Sequence, residues 1–170
     1  MSVDPASFRR ALGQFASGVT VVTTRDASGR PHGLTVSAFC SVSLHPPLVL
    51  ACIDHRSAAN AAMRESGLFA VSVLAEDQED VSRRFAAHGR AKVEDFPFAR
   101  GGHGLPLVPG ALAHLECRVR SFHDEGDHAV WVGEVRALAA RPGRPLLHHA
   151  GAYGWFESAG RTGKADGDRL

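Results

Sequence analysis

What most constrains this chain is a series of short β-rich runs separated by turn residues. Val19–Thr24, His32–Val36, Leu48–Ile53, Phe69–Leu74, Leu112–Phe122 and Ala129–Leu138 are dense in β-branched, aromatic and other apolar residues. Asp26-Ala27-Ser28-Gly29 joins the first two as a hairpin, and Asp124-Glu125-Gly126-Asp127 joins the last two. Helical spacing is confined to short segments. Asp4 caps the first, Pro5 fits its opening position, Phe8, Leu12 and Phe15 share an apolar face, and Gly18 stops it. Ser57 caps a second, from Ala58 to about Glu65, and Asp77–Ala87 forms a third with Val81 and Phe85 on one face. Six or seven hairpin-linked strands with so few helices predict an antiparallel β-barrel with peripheral helices. A doubly wound sheet would alternate strand and helix throughout.

Between the third helix and the last hairpin, Gly89–Pro109 loses periodicity and reads as a long loop, the kind that forms a lid or a binding edge. Leu146, Leu147, Tyr153, Trp155 and Phe156 make a last apolar patch, and Ser158–Leu170 reads as a polar, disordered tail. One domain over residues 1–157 followed by that tail is expected. Nineteen basic against eighteen acidic residues leave a net charge of +1, with no basic stripe for nucleic acid. Met1–Ala11 lacks the apolar core of a signal peptide, and no apolar run approaches membrane-spanning length. Cys40, Cys52 and Cys117 are odd in number and widely spaced, which fits reduced thiols in a cytoplasmic protein.

Several chemistries lack their residues. There is no G-x-S-x-G, no Walker lysine, no C-x-x-C and no H-E-x-x-H. His148-His149 are adjacent and point to opposite faces of a strand, a poor chelate, so no metal is expected. The stretch Gly33–Pro47 (G-L-T-V-S-A-F-C-S-V-S-L-H-P-P) is different, because it combines strand formers with Ser37, Ala38, Cys40, Ser41 and Ser43. Small side chains beside an extended backbone let a flat ligand lie against peptide groups, while hydroxyls bond a polar ring edge or a phosphate. An ordinary buried strand with a serine-rich turn fits the pattern equally. Ser57 at a helix N-terminus, with Asn60 one turn further, adds hydroxyl and amide donors for an anion.

The ordered set G-V-T-V-V-T-T (18–24), Gly33–Pro47, L-V-L-A-C-I (48–53), R-S-A-A-N (56–60), F-A-V-S-V-L (69–74), S-R-R-F-A (82–86), P-G-A-L-A-H-L-E-C (109–117), G-D-H (126–128), V-G-E-V (132–135) and G-A-Y (151–153) resembles the short-chain flavin reductases. These are the reductase components of two-component flavin-dependent monooxygenases. The likeness runs from about Phe8 to Phe156. It implies a split antiparallel β-barrel that binds FMN or FAD at a homodimer interface and uses NADH or NADPH. By the family pattern, Thr35, Val36, Ser37, Ala38, Ser41, Val42, Ser43 and Cys52 line the flavin ring and ribityl chain. Ser57, Asn60 and Arg84 (or its neighbour Arg83) lie near the flavin phosphate, with Phe85 beside them. His128 matches a nicotinamide position, and Tyr153 closes the pocket.

Hydride passes between the stacked rings of two cofactors, so no side-chain nucleophile, acid or base is required. The resemblance thus implies an NAD(P)H:flavin oxidoreductase supplying reduced flavin to a partner monooxygenase. Two alternatives remain: a split-barrel enzyme that retains its flavin and acts on its own small substrate, and a non-catalytic flavin- or haem-binding protein. The bland roles also stand, with His128 as an exposed hairpin residue and Tyr153, Trp155 and Phe156 as core or subunit contact.

Overall fold

The computed structural model describes residues 3–87, 89, 93 and 95–158; the tail expected beyond Ser158 lies outside them. Three helices, α1 (Pro5–Leu12), α2 (Ala59–Ser66) and α3 (Glu79–Ala86), accompany β1 (Ser17–Gly18), β2 (Thr20–Arg25), β3 (Pro31–Val36), β4 (Phe39–Ser43), β5 (Leu48–Asp54), β6 (Leu68–Val73), β7 (Ala99–Arg100), β8 (Pro106–Leu107), β9 (Ala113–Glu125), β10 (His128–Ala140), β11 (Leu146–His149) and β12 (Ala152–Trp155). Seven of the strands form one antiparallel sheet in the order β3-β2-β6-β9-β10-β5-β4. None of the described helices is long and apolar enough to cross a membrane.

The strand order itself explains the barrel. β3 and β4 are the two outer strands of this sheet, yet only Ser37 and Ala38 separate them in sequence. So short a link brings the two edges of the sheet together, and the twist of seven strands lets it curl to meet that demand. The edges are not paired to each other. β3 bonds β2, β4 bonds β5, and the link is stapled by the Cys52 amide donating to the Ala38 carbonyl at 3.0 Å. The result is a split barrel whose seam is the Gly33–Pro47 stretch.

Inside the barrel Val22, Val36, Val49, Ala51, Ile53, Met63, Phe69, Val71, Cys117, Ala129 and Trp131 form the main core. The strict alternation of buried and half-buried residues along β5 is what one inward and one outward face require. Asn60 closes one end. Its side-chain oxygen accepts from Trp131 Nε1 at 2.8 Å, and its amide donates to the Asp54 carbonyl at 2.8 Å. A second core lies outside the sheet, where α3 and the β11–β12 hairpin cover Val19, Val21, Leu74, Phe85 and Leu146.

Several sequence expectations need correction. α1 ends at Leu12 with Gly13 as its cap, and the Gly18 expected to stop it belongs to β1. Its apolar face is largely open: Phe8 and Leu12, with Phe15 just beyond the helix, are all more than half exposed. The N-cap of α2 is Ala58, although Ser57 Oγ still accepts from the Ala59 amide at 3.3 Å. The loop expected over Gly89–Pro109 contains the β7–β8 pair, with Leu105, Leu107 and Val108 buried. It is anchored by Glu116, whose carboxylate accepts from the Gly102 and His103 amides, each at 2.8 Å. The last apolar patch divides: Leu146 is buried on β11, while Trp155 and Phe156 stay exposed.

Candidate functional site

A cleft of about 370 Å³ opens where the barrel is split. Its walls are β3 (Pro31–Thr35), the turn from β5 into α2 (Asp54 and Arg56–Ala59) and the end of α3 with its continuation (Phe85–Ala87, Gly89 and Val93). β3 is an edge strand, so backbone donors and acceptors not bonded to β2 remain for a ligand. The N-terminal end of α2 borders the same space, with the Ala59 amide bonded to Ser57 Oγ at 3.3 Å and the Asn60 amide to the Ser57 carbonyl at 3.1 Å, and its dipole favours negative charge there.

Close approach of α3 to β3 depends on Gly33. A Cβ there would stand 2.9 Å from the Phe85 ring and 3.2 Å from Thr23 Cγ2, inside normal contact. Phe85 is fully buried and forms an edge-on contact with Phe96 at 5.0 Å between centroids, and Phe98 lies 5.8 Å away. Two hydroxyls complete the attachment of α3. Thr35 Oγ1 donates to the Ser82 carbonyl at 2.6 Å, and Ser82 Oγ pairs with the Tyr153 hydroxyl at 2.9 Å. Arg83, held by Glu79, lies over the Tyr153 ring at 4.9 Å.

Charges on the rim are mostly paired. Arg56 Nη2 lies 2.6 Å from Asp54 Oδ2, and these bonds hold the Asp54 carboxyl well below the usual carboxylate range. Asp127 is likewise lowered, first by its hydrogen bond from His128 Nδ1 at 2.7 Å. On the opposite wall, His32 Nε2 lies 3.1 Å from Asp26 Oδ2. Among the described residues no group of three or more His, Cys, Asp or Glu is arranged to hold a metal ion.

Of the residues singled out in the sequence, Thr35, Ser57 and Phe85 line the cleft. Val36 turns into the barrel core, and Asn60 is buried with its amide engaged by Trp131, Asp54 and Ser57. Ser37, Ala38, Ser41 and Val42 are exposed along the seam beyond the cleft, with Ser43 half-buried. Cys52 is half-buried and its thiol is raised by burial and by nearby Cys40. Arg84 lies over the Phe96 ring at 5.4 Å. His128 opens β10 opposite Asp54, whereas the Tyr153 hydroxyl is directed to Ser82. Sequence reasoning missed His32, Leu34, Asp54 and Arg56 in the walls. The signal for His32 was its place beside Gly33, at the head of the strand already marked for ligand contact.

Comparison with known proteins agrees with this architecture. The model of the flavin reductase like domain family matches residues 12–157. The FMN reductase (NADH) SmoA of Agrobacterium fabrum is 47% identical over 88% of this chain and 85% of its own. The reductase subunit HsaB of a flavin-dependent monooxygenase from Rhodococcus jostii is 42% identical over 92% and 80%, respectively. The Streptomyces globisporus NADH:FAD oxidoreductase SgcE6, solved in complex with NAD and FAD fragments, superposes with a TM-score of 0.85 at 37% identity, covering 94% of this chain and 98% of that one. With a family match spanning nearly the whole described fold, this chain belongs to the flavin reductase like domain family.

Proposed function

We propose that the cleft at the barrel split binds a flavin nucleotide, FMN or FAD, and that the chain reduces it with a nicotinamide nucleotide, NADH or NADPH, for delivery to a partner monooxygenase. The observation that carries this reading is that the free edge of β3, the hydroxyls of Thr35 and Ser57 and the start of α2 line one cleft. The residues fit the group. A volume of about 370 Å³ lies in the ordinary range for small-molecule sites, and apolar Leu34, Ala59, Phe85 and Val93 alternate with Thr35, Ser57 and His32. When bound, the flavin supplies hydride acceptance from the nicotinamide. The protein's part is to bind, orient and exclude water, which backbone amides and small side chains accomplish without a catalytic acid or base.

Within this reading the serines and Thr35–Ala38 of the seam, with Ser41–Ser43 and Cys52, support the ring portion. Ser57, Asn60, Arg84 and Phe85 form the phosphate end, and His128 and Tyr153 flank the nicotinamide. Asn60 acts there through its placement of the β5–α2 turn, since its own amide is engaged. The active unit is a homodimer of domains spanning residues 1–157. Phe8 and Leu12 of α1, Phe15 beyond it, Val42 and Leu44 of the seam, and Trp155 and Phe156 are exposed large apolar side chains that a second copy can cover. Reduced thiols at Cys40, Cys52 and Cys117 suit a cytoplasmic setting.

The decisive experiment is anaerobic: protein with each nicotinamide nucleotide and a large excess of FMN or FAD, followed at the flavin absorbance. Bleaching of many equivalents per subunit is expected, and the four combinations give both cofactor preferences. Bleaching of one bound equivalent indicates a retained flavin, and no bleaching refutes reductase activity. Light scattering in the same buffer should give twice the subunit mass.

A further inference from the structure

His32 has an arrangement that the proposed chemistry does not call for. Its side chain is 17% exposed, lines the cleft, and uses Nε2 to meet Asp26 Oδ2 at 3.1 Å. Asp26 is itself fully engaged. Its Oδ1 accepts from Ser28 N at 3.0 Å, Ser28 Oγ at 2.5 Å and Arg30 N at 3.1 Å, while Oδ2 also takes Arg30 Nε at 3.1 Å. This turn holds Asp26 ionised and immobile, and Asp26 in turn fixes the imidazole. Nδ1 of His32 has no partner among the described residues. An anion beside Nδ1 favours the imidazolium, which shares the Asp26 carboxylate with Arg30 and so leaves the cluster net positive around the bound anion.

The charged or titratable residues lining the cleft, among those described, are His32, Asp54 and Arg56. Arg56 is tied to Asp54 through Nε and Nη2, which neutralises that pair. Phe85, Ala86 and Ala87 bring no charge from the α3 side. The Ser57 hydroxyl, which accepts from the Ala59 amide, keeps its own proton as a neutral donor in another wall of the cleft. An anionic group in the cleft can meet that hydroxyl and a buttressed imidazole.

We infer that His32, oriented by Asp26, binds the phosphoryl group of the flavin nucleotide and sets the preference of the site for phosphorylated over unphosphorylated flavin. This rests on the reading of the cleft as the flavin site. The reductase reaction itself needs no phosphate, so this preference can be separated from hydride transfer.

The test is equilibrium binding without nicotinamide, with FMN and riboflavin as probes titrated by flavin fluorescence. Work above about pH 6.5 keeps the phosphomonoester largely dianionic, since its second proton leaves near pH ~6. In His32→Gln the ratio of riboflavin Kd to FMN Kd should fall about tenfold, equivalent to about 1.4 kcal/mol. Asp26→Asn should lower it in the same direction. An unchanged ratio in His32→Gln, or an equal weakening of both flavins, overturns the inference while leaving the flavin site intact. Failure of the wild type to bind either flavin overturns the functional reading. Should His32→Gln fail to fold, the wild-type imidazole resonance of His32 is followed by NMR as inorganic phosphate is added. A shift supports the assignment, and no shift refutes it.

Discussion

Gly33→Ala tests the link between packing and the cleft. The added methyl would lie 2.9 Å from Phe85 Cε1, 3.1 Å from Phe85 Cδ1 and 3.2 Å from Thr23 Cγ2. Relief requires the ring to retreat by roughly 0.5–1 Å toward van der Waals distance. Phe85 is wholly buried and pressed by Phe96 and Phe98, and Thr23 is held by its hydroxyl bond to the Pro106 carbonyl at 2.5 Å. Neither neighbour yields freely, so overpacking should cost ~1–3 kcal/mol. Alanine's intrinsic advantage over glycine in a strand, ~0.5–1 kcal/mol, offsets part of that. The expected net loss is about 1–2 kcal/mol, which lowers Tm by roughly 2–8 °C for a chain of this size. Because Phe85, Ala86 and Ala87 belong to the cleft wall, flavin affinity should weaken in the same variant. Urea unfolding, with unchanged m-value, measures the first effect, and fluorescence titration the second. Gly154→Ala, where nothing lies within 4 Å of the new methyl, is the control. A Gly33→Ala protein as stable as the control and with wild-type flavin affinity would refute the argument.

Other perturbations reach other parts of the molecule. Asn60→Leu leaves buried Trp131 Nε1 without its acceptor and the Asp54 carbonyl without its side-chain donor, and should cost ~1–3 kcal/mol in urea melts. Burial first, then the nearby Glu116 charge, pushes the Cys117 thiol up to about 12, so iodoacetamide at neutral pH should modify exposed Cys40 and spare Cys117 by mass spectrometry. Asp54 titrates below its ordinary value in the fold; its contribution is therefore present above that value, near 3.8, and disappears as pH falls. Acid-range unfolding of Asp54→Asn should show a shallower pH slope than wild type, and salt should narrow the difference. His128→Ala should raise the KM for NADH more than it weakens flavin binding; unchanged nicotinamide kinetics would remove His128 from the site.

Local chemistry accounts for what was legible beforehand. Asp4 accepts from the Ser7 amide as its capping position requires, and the Asp26–Gly29 turn joins paired strands with Gly29 at φ 80°. β5, β6, β9 and β10 fall within a few residues of the runs that announced them. Short elements escaped for a physical reason. β7 and β8 have two residues each, too few to show a period, and the turn between them is held by the buried Glu116 carboxylate on the next long strand. Helical periodicity marks the apolar face of α1 but cannot tell a face covered by its own chain from one left open, as this one is.

The sequence by itself determined the strand inventory, the hairpins, the serine-rich seam and the family, because all are written in neighbouring residues or in their order. Only the tertiary structure decided which seam residues reach the cleft and which turn into the core, since a period-two strand sends Thr35 and Val36 to opposite faces. It also decided that Asn60 is engaged inside the barrel and that His32 stands in the wall with Asp26 behind it. Strand curvature and long-range hydrogen bonds set those positions, and both depend on residues brought together only when the sheet closes on its own edges.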